Sequence, residues 1–93
     1  MPVRLDDTVA QSPTCLAADM GGEVVVMSVE RGLYLALDPV GRDIWNRVAA
    51  PCTVKSLCGT LLAEYDASAA IIESDVLDLL DTLVEAGVIE VRA

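Results

Sequence analysis

From Leu33 to Pro39 the chain changes period without a loop, and this junction constrains the fold more than any other stretch. Leu33, Leu35 and Leu37 alternate with Tyr34 and Ala36, the period-two pattern of a strand with one buried face. Asp38-Pro39 then ends the strand. Asp is a strong helix N-cap, and proline's fixed φ and missing N–H suit the first helical position. A short strand therefore passes directly into a helix.

The elements on either side follow from the same reasoning. Residues 1–13 mix charge and polarity without a period and read as a loosely ordered arm or irregular strand. Thr14 to Met20 is weakly strand-like, and Gly21-Gly22 after it is a hairpin signal, because both residues tolerate positive φ. Glu23 to Val29 is rich in β-branched residues, and its near-continuous apolarity predicts cover on much of both faces. Glu30-Arg31-Gly32 returns the chain into the Leu33–Leu37 strand. Two consecutive hairpins give a three-stranded antiparallel meander whose third strand is an edge.

Three helices are predicted next. The first runs from about Pro39 to Ala49, with Val40, Ile44, Trp45 and Val48 on one face. Trp45 reads as a core anchor, with a binding role as the alternative. After Pro51, Thr53 is placed to cap a second helix in which Val54, Leu57, Cys58, Leu61, Leu62 and Tyr65 keep helical spacing. The third starts after Ser68 and stops at Gly87. Its apolar arc (Ile72, Val76, Leu77, Leu79, Leu80, Leu83, Val84) spans roughly 160° at 100° per residue. An arc so wide fits either a helix packed between two neighbours or one whose margin lines a groove. Val88 to Val91 alternates and suits a short final strand. The sum is one α+β domain over residues 14–93, winged-helix-like, with a three-stranded antiparallel sheet followed by three helices.

Charge and chemistry narrow the function classes. The chain carries 15 Asp and Glu against six Lys and Arg, a net charge of −9, whereas binding a phosphate backbone requires basic residues to displace counterions. From Glu64 to Glu90 there are eight acids and no base. That run is either a solvated surface or an acidic rim for a basic partner. A winged-helix DNA-binding regulator shares the architecture, but Glu73, Asp75, Asp78, Asp81 and Glu85 would repel phosphate. No histidine is present, and Cys15, Cys52 and Cys58 have no C-x-x-C spacing. Neither a Cys–His catalytic pair nor the usual zinc set can be built, and the thiols read as small buried hydrophobes. No catalytic or metal residue and no cofactor is expected. The sequence shows no membrane span or signal peptide, so a cytoplasmic protein is expected.

The ordered pattern Gly32, Tyr34, Leu37, Asp38, Pro39, Gly41, Ile44, Trp45, then Thr53-Val54, Leu61, Tyr65, Asp75-Val76, Leu80, Leu83 and Glu85-Ala86-Gly87 resembles the PqqD-like family. Its members are the RiPP recognition elements that hold leader peptides of ribosomally made natural products. The resemblance covers about residues 14–91. The Gly-x-Tyr-x-x-Leu-Asp-Pro-x-Gly run followed by Ile-Trp is most similar to the stand-alone proteins of lasso-peptide clusters. The passage usual after the second strand in the members that serve quinone-cofactor synthesis is not seen here.

The resemblance implies that a precursor's leader adds as an antiparallel strand beside Leu33, Tyr34, Leu35, Ala36 and Leu37, in a cleft against the third helix. This is β-augmentation, with backbone hydrogen bonds for affinity and side-chain pockets for specificity. On that helix Leu77, Leu80 and Val84, with Asp81 as polar neighbour, are the expected lining. Leu79 with Asp75 and Asp78 is the competing margin. The implied partners are a cysteine leader peptidase and an ATP-dependent, asparagine-synthetase-like cyclase. A peptide chaperone for a radical-SAM or other modifying enzyme is the alternative.

Overall fold

The structure is a computed structural model and describes residues 2–21 and 23–92. In chain order it holds β1 (Thr8–Gln11), β2 (Cys15–Met20), β3 (Glu23–Ser28), β4 (Leu33–Leu37), α1 (Pro39–Arg47), β5 (Cys52–Thr53), α2 (Val54–Glu64), α3 (Ala69–Glu85) and β6 (Ile89–Arg92). One antiparallel sheet has the order β2-β3-β4 and is the expected meander, with β4 at its edge. Gly32 takes the left-handed position of its second turn at φ +65°, and its N–H donates to the Ser28 carbonyl at 2.9 Å. In the first turn Gly21 is also left-handed, while Gly22 lies outside the described residues.

The expected double cover of β3 is corrected. Val24, Val26 and Ser28 are buried, but Met27 on the other face is exposed. The sheet is covered on one face only.

Side-chain caps start each helix where the sequence places them. Asp38 Oδ1 accepts from the Gly41 N–H at 2.7 Å, Thr53 Oγ1 from Ser56 at 3.2 Å and Ser68 Oγ from Ile71 at 3.3 Å. Each cap satisfies an N–H that the helix itself leaves unpaired. Gly87, at φ +81°, turns the chain out of α3 into β6. The core gathers Ile44 and Trp45 from α1 with Val48 at its C-cap, Val54, Leu57, Cys58 and Leu61 from α2, and Ile72, Val76, Leu80 and Leu83 from α3. Trp45 is a core residue. Leu62 and Tyr65 fall outside this core and are partly exposed.

The N-terminal stretch also differs from expectation. Residues 8–11 form the middle strand of a second antiparallel sheet, β5-β1-β6, with Thr8 opposite Thr53 on one side and Arg92 on the other. Val3, Val9 and Ala10 are buried. Further bonds tie the stretch down: the Gln11 N–H donates to the Val48 carbonyl at 3.0 Å and Ser12 N–H to Val88 at 2.9 Å. Gln11 Nε2 also donates to the Trp45 carbonyl at 2.8 Å.

Candidate peptide-binding edge and groove

Strand β4 is paired with β3 along one side only. Its other side presents backbone N–H and C=O groups that no described strand takes up, the arrangement an added strand requires. Leu37 is buried and Leu35 half-buried, both packed in or against the core. Leu33 and Ala36 are exposed, and Tyr34 is 73% exposed. Of the five residues expected at this edge, two are thus anchors and three are open.

The residues at the two ends of β4 relate it to α3. At its start, Arg31 Nη1 donates to the Glu85 carbonyl, and Gly87 approaches so closely that a Cβ there would stand 2.9 Å from Arg31 Nε. At its end, Asp38 and Gly41 share a cavity with Asp75, Asp78 and Leu79. The residues flanking β4 thus reach the C-terminal end of α3 on one side and a cavity shared with its middle on the other. The spans are comparable: from first to last Cα, five strand residues cover about 13 Å and helix residues 78–86 about 12 Å.

The cavity at the far end measures about 490 Å³. Its wall is apolar, from Val40 and Ile44 of α1, Leu61 of α2 and Tyr65 at that helix's C-cap, and Ile71 and Leu79 of α3, while Asp38, Asp75 and Asp78 add carboxylates. Few polar groups at the edge of an apolar hollow is the usual make-up of a binding pocket. Tyr65, one of the lining residues, donates to Asp43 Oδ2 at 3.0 Å, and that hydrogen bond pushes the phenol pKa above its ordinary value. Asp43 also receives Arg47 Nε at 2.9 Å, and Arg47 reaches on to Glu64. This chain of contacts joins α1 to the end of α2. Because every member is at least partly exposed, its contribution is positional more than energetic.

The cavity borders the Leu79, Asp75 and Asp78 margin of α3, not Leu77, Leu80, Asp81 and Val84. In the described chain that second set is committed elsewhere. Leu80 is fully buried. Asp81 Oδ1 accepts the Val3 N–H, so the N-terminal segment crosses this margin. Leu77 and Val84 lie one turn either side of Asp81 and pack against the core. The N-terminal segment was not expected to reach α3, which is why its margin looked open in the sequence.

Comparisons with known proteins place the chain in a family. The family model for Coenzyme PQQ synthesis protein D (PqqD) matches residues 23–89. No curated protein matches the chain. Among solved structures, that of TbiB1 in complex with the TbiA(beta) leader peptide aligns with a TM-score of 0.80 and 27% identity, over 90% of this chain and 98% of that one. The family match spans β3, β4 and all three helices, the elements that build the edge and the groove, and the chain belongs to the PqqD family.

Proposed function

We propose that this chain is a RiPP recognition element that binds the leader of a ribosomally made precursor peptide and does no chemistry itself. The observation that carries the reading is the likeness, along nearly the whole length of both chains, to TbiB1 in complex with a leader peptide. The free edge of β4 beside α3 supplies a physical means. The leader would add antiparallel to Leu33–Leu37 and set side chains into the cavity beside Leu79, Asp75 and Asp78.

The resemblance to lasso-cluster proteins supports a setting in which the precursor is delivered, in the cytoplasm, to a cysteine leader peptidase and an ATP-dependent, asparagine-synthetase-like cyclase. The family description, a coenzyme PQQ synthesis protein, favours a second reading, a peptide chaperone for a radical-SAM or other modifying enzyme. A DNA-binding role fits poorly with the acids along α3.

The purified protein is incubated with synthetic precursor and ATP, and the mixture is followed by mass. The expected result is tight leader binding with no change of mass until the peptidase and cyclase are added. Cleavage or cyclisation by this chain alone would overturn the reading.

A further inference from the structure

Tyr65 lines the cavity although it stands where α2 has already ended. Its backbone is extended, at φ −109° and ψ 139°, and the residue is 39% exposed. Helix geometry therefore does not fix the direction of its ring. Three side chains that do not themselves line the cavity do so instead. The Tyr65 hydroxyl donates to Asp43 Oδ2 at 3.0 Å. The other oxygen of that carboxylate, Oδ1, accepts Arg47 Nε at 2.9 Å from one turn along α1. Arg47 reaches on to Glu64, the neighbour of Tyr65 in sequence. The contacts thus close a circuit from Asp43 through Arg47 and Glu64 to Tyr65 and back. Both carboxylate oxygens of Asp43 have a partner, and the Asp43 and Arg47 side chains are each only 29% exposed.

We infer that Asp43 is a positioning residue for leader recognition: acting through Tyr65, and steadied by Arg47, it keeps open the part of the cavity that receives one leader side chain and so sets which side chain fits. The inference rests on the leader-binding reading.

Magnitudes separate this role from a purely structural tie between α1 and the end of α2. The charged pairs are partly solvated, so the circuit adds little to stability. What it does constrain is the Tyr65 ring, a large apolar surface with a polar tip. An apolar wall open to water attracts such a ring. Freed from Asp43, the ring can turn onto Val40, Ile44 and Ile71, which line the same cavity, and take up space that the leader needs. A binding site is only as selective as the contacts that lock its lining side chains. The hydroxyl serves here as a tether.

The probe is the synthetic precursor used to test leader binding, cut to its leader and labelled with fluorescein, together with its set of single-alanine variants. Each peptide is titrated by anisotropy against wild type, Asp43→Ala, Tyr65→Phe and the double variant, and melting is followed by circular dichroism. Both single variants should melt within a few degrees of wild type. They should bind the unaltered leader about fivefold more weakly, and the double variant no more weakly than either, because a residue that acts through another adds nothing once the other is altered. The deficit should vanish for the leader carrying alanine at one particular position, the same position in all three variants. Losses that add in the double variant, or a deficit equal across the whole alanine set, would overturn the inference and leave leader binding intact. So would an Asp43→Ala protein that binds every peptide like wild type. A wild type that binds no leader overturns the functional reading, and this inference with it. If either single variant fails to fold, Arg47→Met decides, since it spares both Asp43 and Tyr65. It should weaken binding about twofold, at that same leader position alone, and an unchanged affinity would overturn the inference.

Discussion

Leu79 and Leu77 are both half-buried residues of α3, two positions apart and so at the opposite ends of its roughly 160° apolar arc. Leu79 lines the cavity, whereas Leu77 lies on the margin crossed by the N-terminal segment. In Leu79→Asp a carboxylate would be desolvated by bound leader. We expect leader affinity to fall tenfold or more, about 1.4 kcal/mol, while the protein still melts cooperatively. Leu77→Asp should bind leader normally and melt at lower temperature, and Leu83→Asp, fully buried, should not fold. Normal binding by Leu79→Asp together with loss of binding in a folded Leu77→Asp would return the groove to the other margin. A second residue-level effect concerns the thiols. Burial raises Cys15, Cys52 and Cys58 above the ordinary 9.0, and the Glu73 charge adds to it at Cys58. The folded state therefore keeps protons that the unfolded chain releases. Their contribution to stability is intact below about pH 9 and is lost as pH climbs from there toward the folded values. Urea midpoints measured from pH 8 to pH 10.5 should fall, and fall less in Cys58→Ala. An identical slope in that variant would show that Cys58 does not take part.

At the scale of elements, the starts of the helices were legible because each is written in a few adjacent residues. Asp38-Pro39, Thr53 and Ser68 mark them, and each side chain is found capping. Strand β4 was legible to the residue, since Gly32 and Asp38 bound a clean alternation. The rotation of α3 was not. Seven apolar residues on one wide arc fit several orientations, and the choice is made by distant chain: Val3 on one margin and α1 on the other. Orientation also decides what the acids do. Asp75, Asp78 and Glu85 share one face of α3 with Thr82 by helical spacing, and Asp75 and Asp78 line the cavity beyond the end of β4. A leader strand laid there passes three carboxylates, so a peptide carrying Lys or Arg at matching positions should bind best. Exposed pairs contribute less than about 1 kcal/mol each. Raising salt from 50 to 500 mM should weaken cognate leader binding by roughly twofold to tenfold. An affinity indifferent to salt would leave the acids with a solubilising role alone.

Across the whole molecule, the second sheet is what sequence reading could not supply. Strand β1 pairs with β6 at the opposite end of the chain and with a β5 only two residues long; the alternation of Val88 to Val91 marks the final strand but not its partner, and neither β1 nor β5 carries a period of its own. Yet this sheet closes the fold. Strand β1 is its middle strand, and without it β5 and β6 have no partner among the described residues. The arm also sets the site, since Val3 bound to Asp81 occupies one margin of α3 and leaves the other to the groove. Burial of a valine side chain contributes about 1.5–3 kcal/mol, so Val3 and Val9 together account for a large share of the 5–15 kcal/mol that holds a typical domain. Removing residues 2–13 should therefore abolish cooperative thermal unfolding at 25 °C and above, and leader binding with it. Val9→Ala, which keeps the strand, should lower stability by about 2 kcal/mol with leader affinity unchanged at temperatures where the variant is folded. A truncated protein that melts like the intact one would mean that the arm is as loose as its mixed sequence suggests. In that case the Leu77 margin would be open to the leader after all.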